Sequence, residues 1–343
     1  MTSSFLTTLS QWLHNVNPTL SKIPPRADKV GEYCYMGSDG TTTGATLCTE
    51  IGYGHATCVG SWLLSPEHHI IEGLLVTIFA LLILYVVVLP KIRSYMPNDA
   101  TSTTTASITI QHPTWSRGVS IFCLGMILIY KVMGYPSRVY YVVMPCNMQW
   151  ILSFLQVCII PNSSKYAKLQ YTLLQLRLTY LMSVIIAIVT PETDDCEHFF
   201  EFEFYWINHI LLLVLPACYI LNGSVSTLHP PVTTTTTSND ATAQPSVFMF
   251  NMYWWLYGCC VFAIFYFIPV TLMAIYSGLN LNFMLHPPHD HFALQGKYYR
   301  LIAVAMLAVS FIISRLLVYV FETSMISNKT AVDDDDEAKK KKQ

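Results

Sequence analysis

Apolar residues in this chain run in long unbroken blocks, without the alternation of half-buried strands. Seven blocks are long enough to span a bilayer, at residues 70–89, 118–135, 139–160, 167–190, 204–221, 248–277 and 299–321. Each approaches or exceeds the ~20 residues needed to cross ~30 Å of hydrocarbon as a helix. Backbone groups in hydrocarbon must find internal partners, so helices are the expected form, and no run of ~10 alternating residues suggests a barrel. The pattern predicts an all-α fold: a polytopic integral membrane protein, a bundle of about seven transmembrane helices. The second block is short and carries Lys131.

The polar segments divide the rest. Residues 1–69 read as a polar N-terminal segment, residues 70–321 as the membrane domain and residues 322–343 as a disordered charged tail. Two threonine runs, from Thr101 and from Val232, read as flexible loops without chemistry. Lys91, Arg93 and Arg117 follow the first block, and Lys165 and Lys168 follow the third. With an odd number of spans these cations share the side of the C-terminus, which makes that side cytosolic and the N-terminus lumenal. Cys34, Cys48, Cys58 and Cys196 then fall together on the oxidising side, where they could form two disulfides in any of three connectivities. Three sequons, at Asn162, Asn222 and Asn328, fall on the cytosolic side, where they would go unused. The ending DDDDEAKKKKQ puts Lys340 and Lys341 at di-lysine retrieval spacing, which points to the endoplasmic reticulum membrane.

Composition narrows the partners. The chain is 53% hydrophobic and 12% charged, so lipid is its main solvent. A net charge of -2 argues against nucleic acid, which needs a basic face. The first residues lack the basic and apolar regions of a signal peptide, so the first span acts as its own targeting signal.

Candidate chemistry sits at one depth. Of the eleven histidines only His209 falls within a block, and ionisable residues in spans are costly and tend to face functional cavities. Cys146 lies about seven residues into the third block, roughly 10 Å, and His209 about five residues into the fifth, roughly 8 Å, from the same side. A thiol beside an imidazole is equipped for nucleophilic acyl transfer. Pro145 should bend the helix just before the cysteine and free a carbonyl near Tyr141. Glu72, Lys131, Glu201, Glu203, Asn280, Asn282 and Arg300 gather at the same level. They read either as ordinary membrane-boundary residues or, for the asparagines, as donors to an oxyanion or lipid ester. Cys123, Cys158, Cys218, Cys259 and Cys260 read as small apolar fillers. Arg177 and Arg315, deeper in the membrane, are expected to snorkel or pair. No zinc-type spacing and no glycine-rich phosphate loop occur, so neither a metal nor a cofactor is implied.

These residues carry a resemblance. VYYVVMPCNM around Cys146, FEFEFYWINHILLLVLP around His209, and LNLNFMLHPP with GKYYR around Asn282 and Arg300 resemble the transmembrane protein 164 family. SQWLHNVNP near the start and IIEG around Glu72 are weaker matches. The resemblance implies a cysteine-centred O-acyltransferase of glycerophospholipids, with a more distant kinship to androgen-induced-gene-type lipid hydrolases. It implies Cys146 as nucleophile and His209 as its partner, while Glu72, Glu203, Asn280, Asn282 and Arg300, from their common level, are the candidate substrate-binding residues. The implied partners are a phospholipid acyl donor and a lysophospholipid acceptor, notably ether-linked lysophosphatidylethanolamine, with a polyunsaturated chain transferred. A lipid-ester hydrolase is the near alternative. A seven-helix receptor or transporter is the alternative without catalysis; the usual rhodopsin-type motifs are missing, and a transporter would need charges along a continuous path. Oligomeric state has no signature in the sequence.

Overall fold

The computed structural model describes residues 66–96, 110, 112–133, 136–191, 193, 196, 198–221, 247–277, 281, 284 and 298–340. The described residues are helical and contain no strand. In chain order the helices are α1 (Pro66–Ile83), α2 (Leu89–Tyr95), α3 (Ser116–Met133), α4 (Pro145–Phe154), α5 (Ala167–Thr179), α6 (Leu181–Val189), α7 (Glu201–Leu221), α8 (Val247–Phe265), α9 (Thr271–Ser277) and α10 (Tyr299–Lys340). Three π-helical turns, Leu84–Val88, Leu155–Ile159 and Tyr266–Val270, extend α1 into α2, end α4 and join α8 to α9. Pro90 and Pro161 each follow one of these turns by two residues, and Pro269 lies within the third. A proline supplies no N–H and crowds the preceding turn, so the hydrogen-bond ladder widens there.

Among the described residues six helical runs are long and apolar enough to cross a membrane: His69–Tyr95, Ser116–Met133, Ala167–Val189, Glu201–Leu221, Val247–Ala274 and Tyr299–Ser324. The protein is therefore a multi-pass membrane protein. The block expected at 139–160 is not one helix. It is a 3-10 helix (Pro136–Val143), a break at Met144, the short α4 and a π turn. Near the C-terminus α10 continues as helix to Lys340, where the sequence suggested disorder. Acidic residues four positions before lysines, as at Asp335 and Lys339, are the spacing that favours helix.

The surface and interior are distributed as lipid requires. Leu75, Phe79, Val86, Val132, Val309 and Leu316 are exposed apolar residues on the spans. The interior holds aromatic packing around Trp150, Tyr171, Tyr219 and Trp254, together with many buried polar groups. Lipid tails are as apolar as leucine, so close packing and cross-helix hydrogen bonds, more than exclusion of water, hold such helices together. Gly73 shows the packing limit: a Cβ there would meet the Phe267 carbonyl oxygen at 2.5 Å. Its bare backbone lets α1 lie directly on the π turn before α9. A second cluster, Val143, Tyr266, Val270, Ala274, Leu281 and Met284, caps the end of the bundle where α4 begins.

Candidate active site

Pro145 does something different from bending a continuous helix. It occupies the first position of α4, after Met144 in an extended conformation (φ -55, ψ 144). Proline disfavours helical backbone in the residue before it and suits a helix start, where its missing N–H is no loss. The preceding 3-10 helix therefore ends, and a new helix begins. The Tyr141 carbonyl, expected to be left free, is not: the Met144 N–H donates to it at 3.1 Å and Asn147 Nδ2 at 2.9 Å. Lys131, at the end of α3, stands 5.8 Å over the Tyr141 ring. The result is to place Cys146 in the first turn of α4, half-buried and held as a thiol. Peptide N–H groups point outward at such a helix start, and negative charge is favoured beside them.

His209 lies on α7 and is buried. Its Nδ1 is 2.6 Å from the Tyr205 carbonyl oxygen. A carbonyl only accepts, so Nδ1 carries the hydrogen and Nε2 presents the lone pair. The Tyr205 ring lies 4.2 Å from the imidazole, centroid to centroid, and its hydroxyl donates to the Ala187 carbonyl at 2.5 Å. The histidine is thus fixed in both tautomer and tilt.

A buried hydrogen bond from Trp150 Nε1 to Asn208 Oδ1 joins α4 to α7. Trp150 is one turn beyond Cys146 on the same face of α4, and Asn208 immediately precedes His209. The bond therefore ties the helix that carries Cys146 to the helix that carries His209, at Trp150 on one and Asn208 on the other. Tyr266 comes within electrostatic reach of Cys146, and its buried hydroxyl donates to the Val143 carbonyl at 3.3 Å.

Arg300 and Glu72 are not loose boundary residues. Arg300 Nη1 is 3.0 Å from Glu72 Oε2 and 2.7 Å from His69 Nδ1, Nη2 donates to Thr271 Oγ1 at 3.0 Å, and the guanidinium lies 4.6 Å over Phe267. Thr271 in turn donates to the Tyr266 carbonyl at 3.0 Å. Met284 is close to both Arg300 and Thr271 and packs in the cluster with Val143. A chain of contacts thus runs from the buried ion pair through Thr271 and Tyr266 to Val143, three residues before Cys146. Glu203 is exposed in the first turn of α7; the buried carboxylate there is Glu201, which accepts the His198 N–H at 3.2 Å. Asn280, Asn282, Cys34, Cys48 and Cys58 lie outside the described residues.

The sequence reading missed His69, which fell one residue before its first span. It also missed Trp150, Asn208, Tyr266 and Thr271. Asn208 was within reach of the argument applied to its neighbour, because an amide inside an apolar block also needs a partner. Of the two outcomes expected for Arg177 and Arg315, snorkelling or pairing, the structure shows pairing. They are buried in another part of the bundle, where Arg315 donates to Gln175 and Asn251 and Arg177 to Gln156.

Comparison with known proteins bears on this arrangement. A Transmembrane protein 164 homolog of Dictyostelium discoideum is 22% identical over 210 residues, which is 59% of this chain and 66% of the relative. The chain thus spans just under two thirds of that relative's length. No solved structure matches. The model of the TMEM164 family matches residues 63–319, a stretch that takes in Glu72, Cys146, His209 and Arg300, and the chain belongs to that family.

Proposed function

We propose that this protein is a membrane O-acyltransferase that moves an acyl chain between glycerophospholipids through a thioester on Cys146, with His209 as base. The observation that carries the reading is the Trp150–Asn208 hydrogen bond, which ties the thiol-bearing helix to the imidazole-bearing helix. His209 Nε2 takes the proton from Cys146 Sγ, and the sulfur attacks the ester carbonyl of a donor phospholipid. The tetrahedral intermediate collapses with loss of the donor's glycerol oxygen, which takes the proton back from His209. A lysophospholipid hydroxyl then loses its proton to Nε2 and attacks the thioester, and the thiol is restored by return of that proton. No cofactor is consumed. Lysophosphatidylethanolamine, including its ether-linked form, is the proposed acceptor, and a polyunsaturated chain the proposed cargo.

Location belongs to the same proposal. The chain sits in the endoplasmic reticulum membrane, with the N-terminus lumenal and the C-terminus cytosolic. With the broken segment 136–159 counted as the seventh crossing, its far end returning beside Arg117 through the Cys158 contact, the exposed cations Lys91, Arg93, Arg117 and Lys165 and the di-lysine pair Lys340 and Lys341 support this orientation. The test is acyl exchange in membranes supplied with a labelled phospholipid and a lyso acceptor. Transfer should vanish with Cys146→Ala and with His209→Ala. It should fall by most of its value with Cys146→Ser, because a hydroxyl ionises far less readily. Undiminished exchange in either alanine variant removes that residue from the mechanism. Labelled free fatty acid in place of labelled phospholipid would make the enzyme a hydrolase.

A further inference from the structure

Three arginines are buried among the described residues, and they differ in what neutralises them. Arg300 has Glu72 at 3.0 Å. Arg315 has Glu322 within electrostatic reach, and two amide oxygens accept from it. Arg177 has no exposure to solvent, and no carboxylate among the described residues pairs with it. Its Nη1 donates to Gln156 Oε1 at 2.8 Å and its guanidinium lies 5.7 Å over the Tyr219 ring. Nε and Nη2 have no hydrogen-bond partner, although the Tyr219 hydroxyl approaches the group. A buried guanidinium with open donors and no countercharge is costly, and an anion offsets that cost most directly.

The groups around it are polar, neutral and already oriented. His112 Nε2 is 3.2 Å from Gln170 Oε1, and Gln170 Nε2 donates to the carbonyls of Ile160 and Pro161. Since Gln170 Oε1 accepts, His112 Nε2 carries the hydrogen, and Nδ1 accepts from the Tyr219 hydroxyl at 3.0 Å. His112 is only partly buried, so it forms the outer wall. Arg117 and Lys165 are exposed nearby: Cys158, two residues beyond Gln156, donates to the Arg117 carbonyl at 3.9 Å, and Lys165 precedes α5, which bears Gln170. Their field draws anions toward this end. The Arg177 carbonyl accepts from Gln149 Nε2 at 3.2 Å, but its guanidinium reaches on to Gln156, ten residues or about 15 Å of helix beyond Cys146.

We propose that Arg177, with Gln156, Tyr219 and His112, forms a second site that binds the phosphate group of a separate molecule. The proposal is independent of the acyl-transfer reading, because its readout is binding. The full-length protein, purified in a neutral detergent, is unfolded thermally with inorganic phosphate alone, and separately with phosphatidylglycerol in mixed micelles. Ligand at ~100 times its Kd should raise the midpoint by roughly 5 °C. Arg177→Gln should abolish the rise, and Arg177→Lys, which keeps the charge and loses the planar fork, should weaken binding about tenfold. A rise with phosphatidylglycerol only identifies a lipid headgroup as source; a rise with phosphate alone identifies a soluble one. No rise in the unsubstituted protein with either probe overturns the proposal. An equal rise in Arg177→Gln does too or, should that variant not fold, in Arg177→Lys.

Discussion

Replacing Asn208 by leucine removes the acceptor that ties α7 to α4 while keeping a side chain of similar size. The Trp150 indole N–H, fully buried, is then left without a partner. An orphaned buried donor costs about 1–3 kcal/mol in water-soluble proteins. Hydrogen bonds between membrane helices measure lower, about 0.6 and at most ~1.7 kcal/mol, because the unfolded chain in the bilayer finds substitutes. A loss near 1 kcal/mol is therefore expected for Asn208→Leu. Trp150→Phe loses more, since ring volume goes with the donor. In the double variant neither orphan remains, so the combined loss should fall short of the sum by about 1 kcal/mol. The effect on acyl exchange should be larger than the effect on stability. Cys146 and His209 keep their chemistry but lose their shared register, and a displacement of ~1 Å can cost about 100-fold in rate. Thermal unfolding in detergent measures the first quantity and the labelled-lipid exchange assay the second. Strict additivity of the two substitutions, with exchange unchanged in Asn208→Leu, would refute the view that this bond positions the pair.

Arg300→Met should destabilise the protein, because the mostly buried Glu72 loses the guanidinium at 3.0 Å, and breaking a buried pair costs up to about 3–5 kcal/mol; a midpoint within error of the parent would show that the pair contributes little. Pro145→Ala should lower acyl exchange far more than stability, because Met144 is then free to turn helical and move the start of α4; unchanged exchange would show that the break at Met144 is dispensable. Burial holds the His112 imidazole below its ordinary range, against the opposing effect of the hydrogen bond it donates to Gln170, and the nearby Arg177 adds to the lowering. The unfolded chain therefore takes up this proton first as pH falls, so the contribution is full above about pH 6.5 and is lost progressively below it. Unfolding midpoints measured from pH 7.5 to 5 should show a flatter profile in His112→Gln, and an identical slope would remove His112 as the source.

Much of this protein was legible as one-dimensional pattern. Long apolar blocks mean membrane helices because hydrocarbon forbids unpaired backbone, and that rule needs no tertiary information. The depth of Cys146 and His209 could be counted along the chain, since a helix rises by a constant amount per residue. Pro145 could be recognised as a disruption, but not as the first residue of a separate helix. Whether proline kinks or restarts depends on where the neighbouring carbonyls find donors, and Asn147 decides that here. Which faces meet was equally hidden. Nothing in a linear count pairs Trp150 with Asn208, Arg300 with His69 and Glu72, or Arg177 with Gln156, because each joins residues on different helices. Depth follows from sequence, whereas azimuth follows from packing. Chemistry between two side chains needs both, so the candidate residues could be named from the chain, whereas the bond that ties their two helices, Trp150 to Asn208, belongs to the fold.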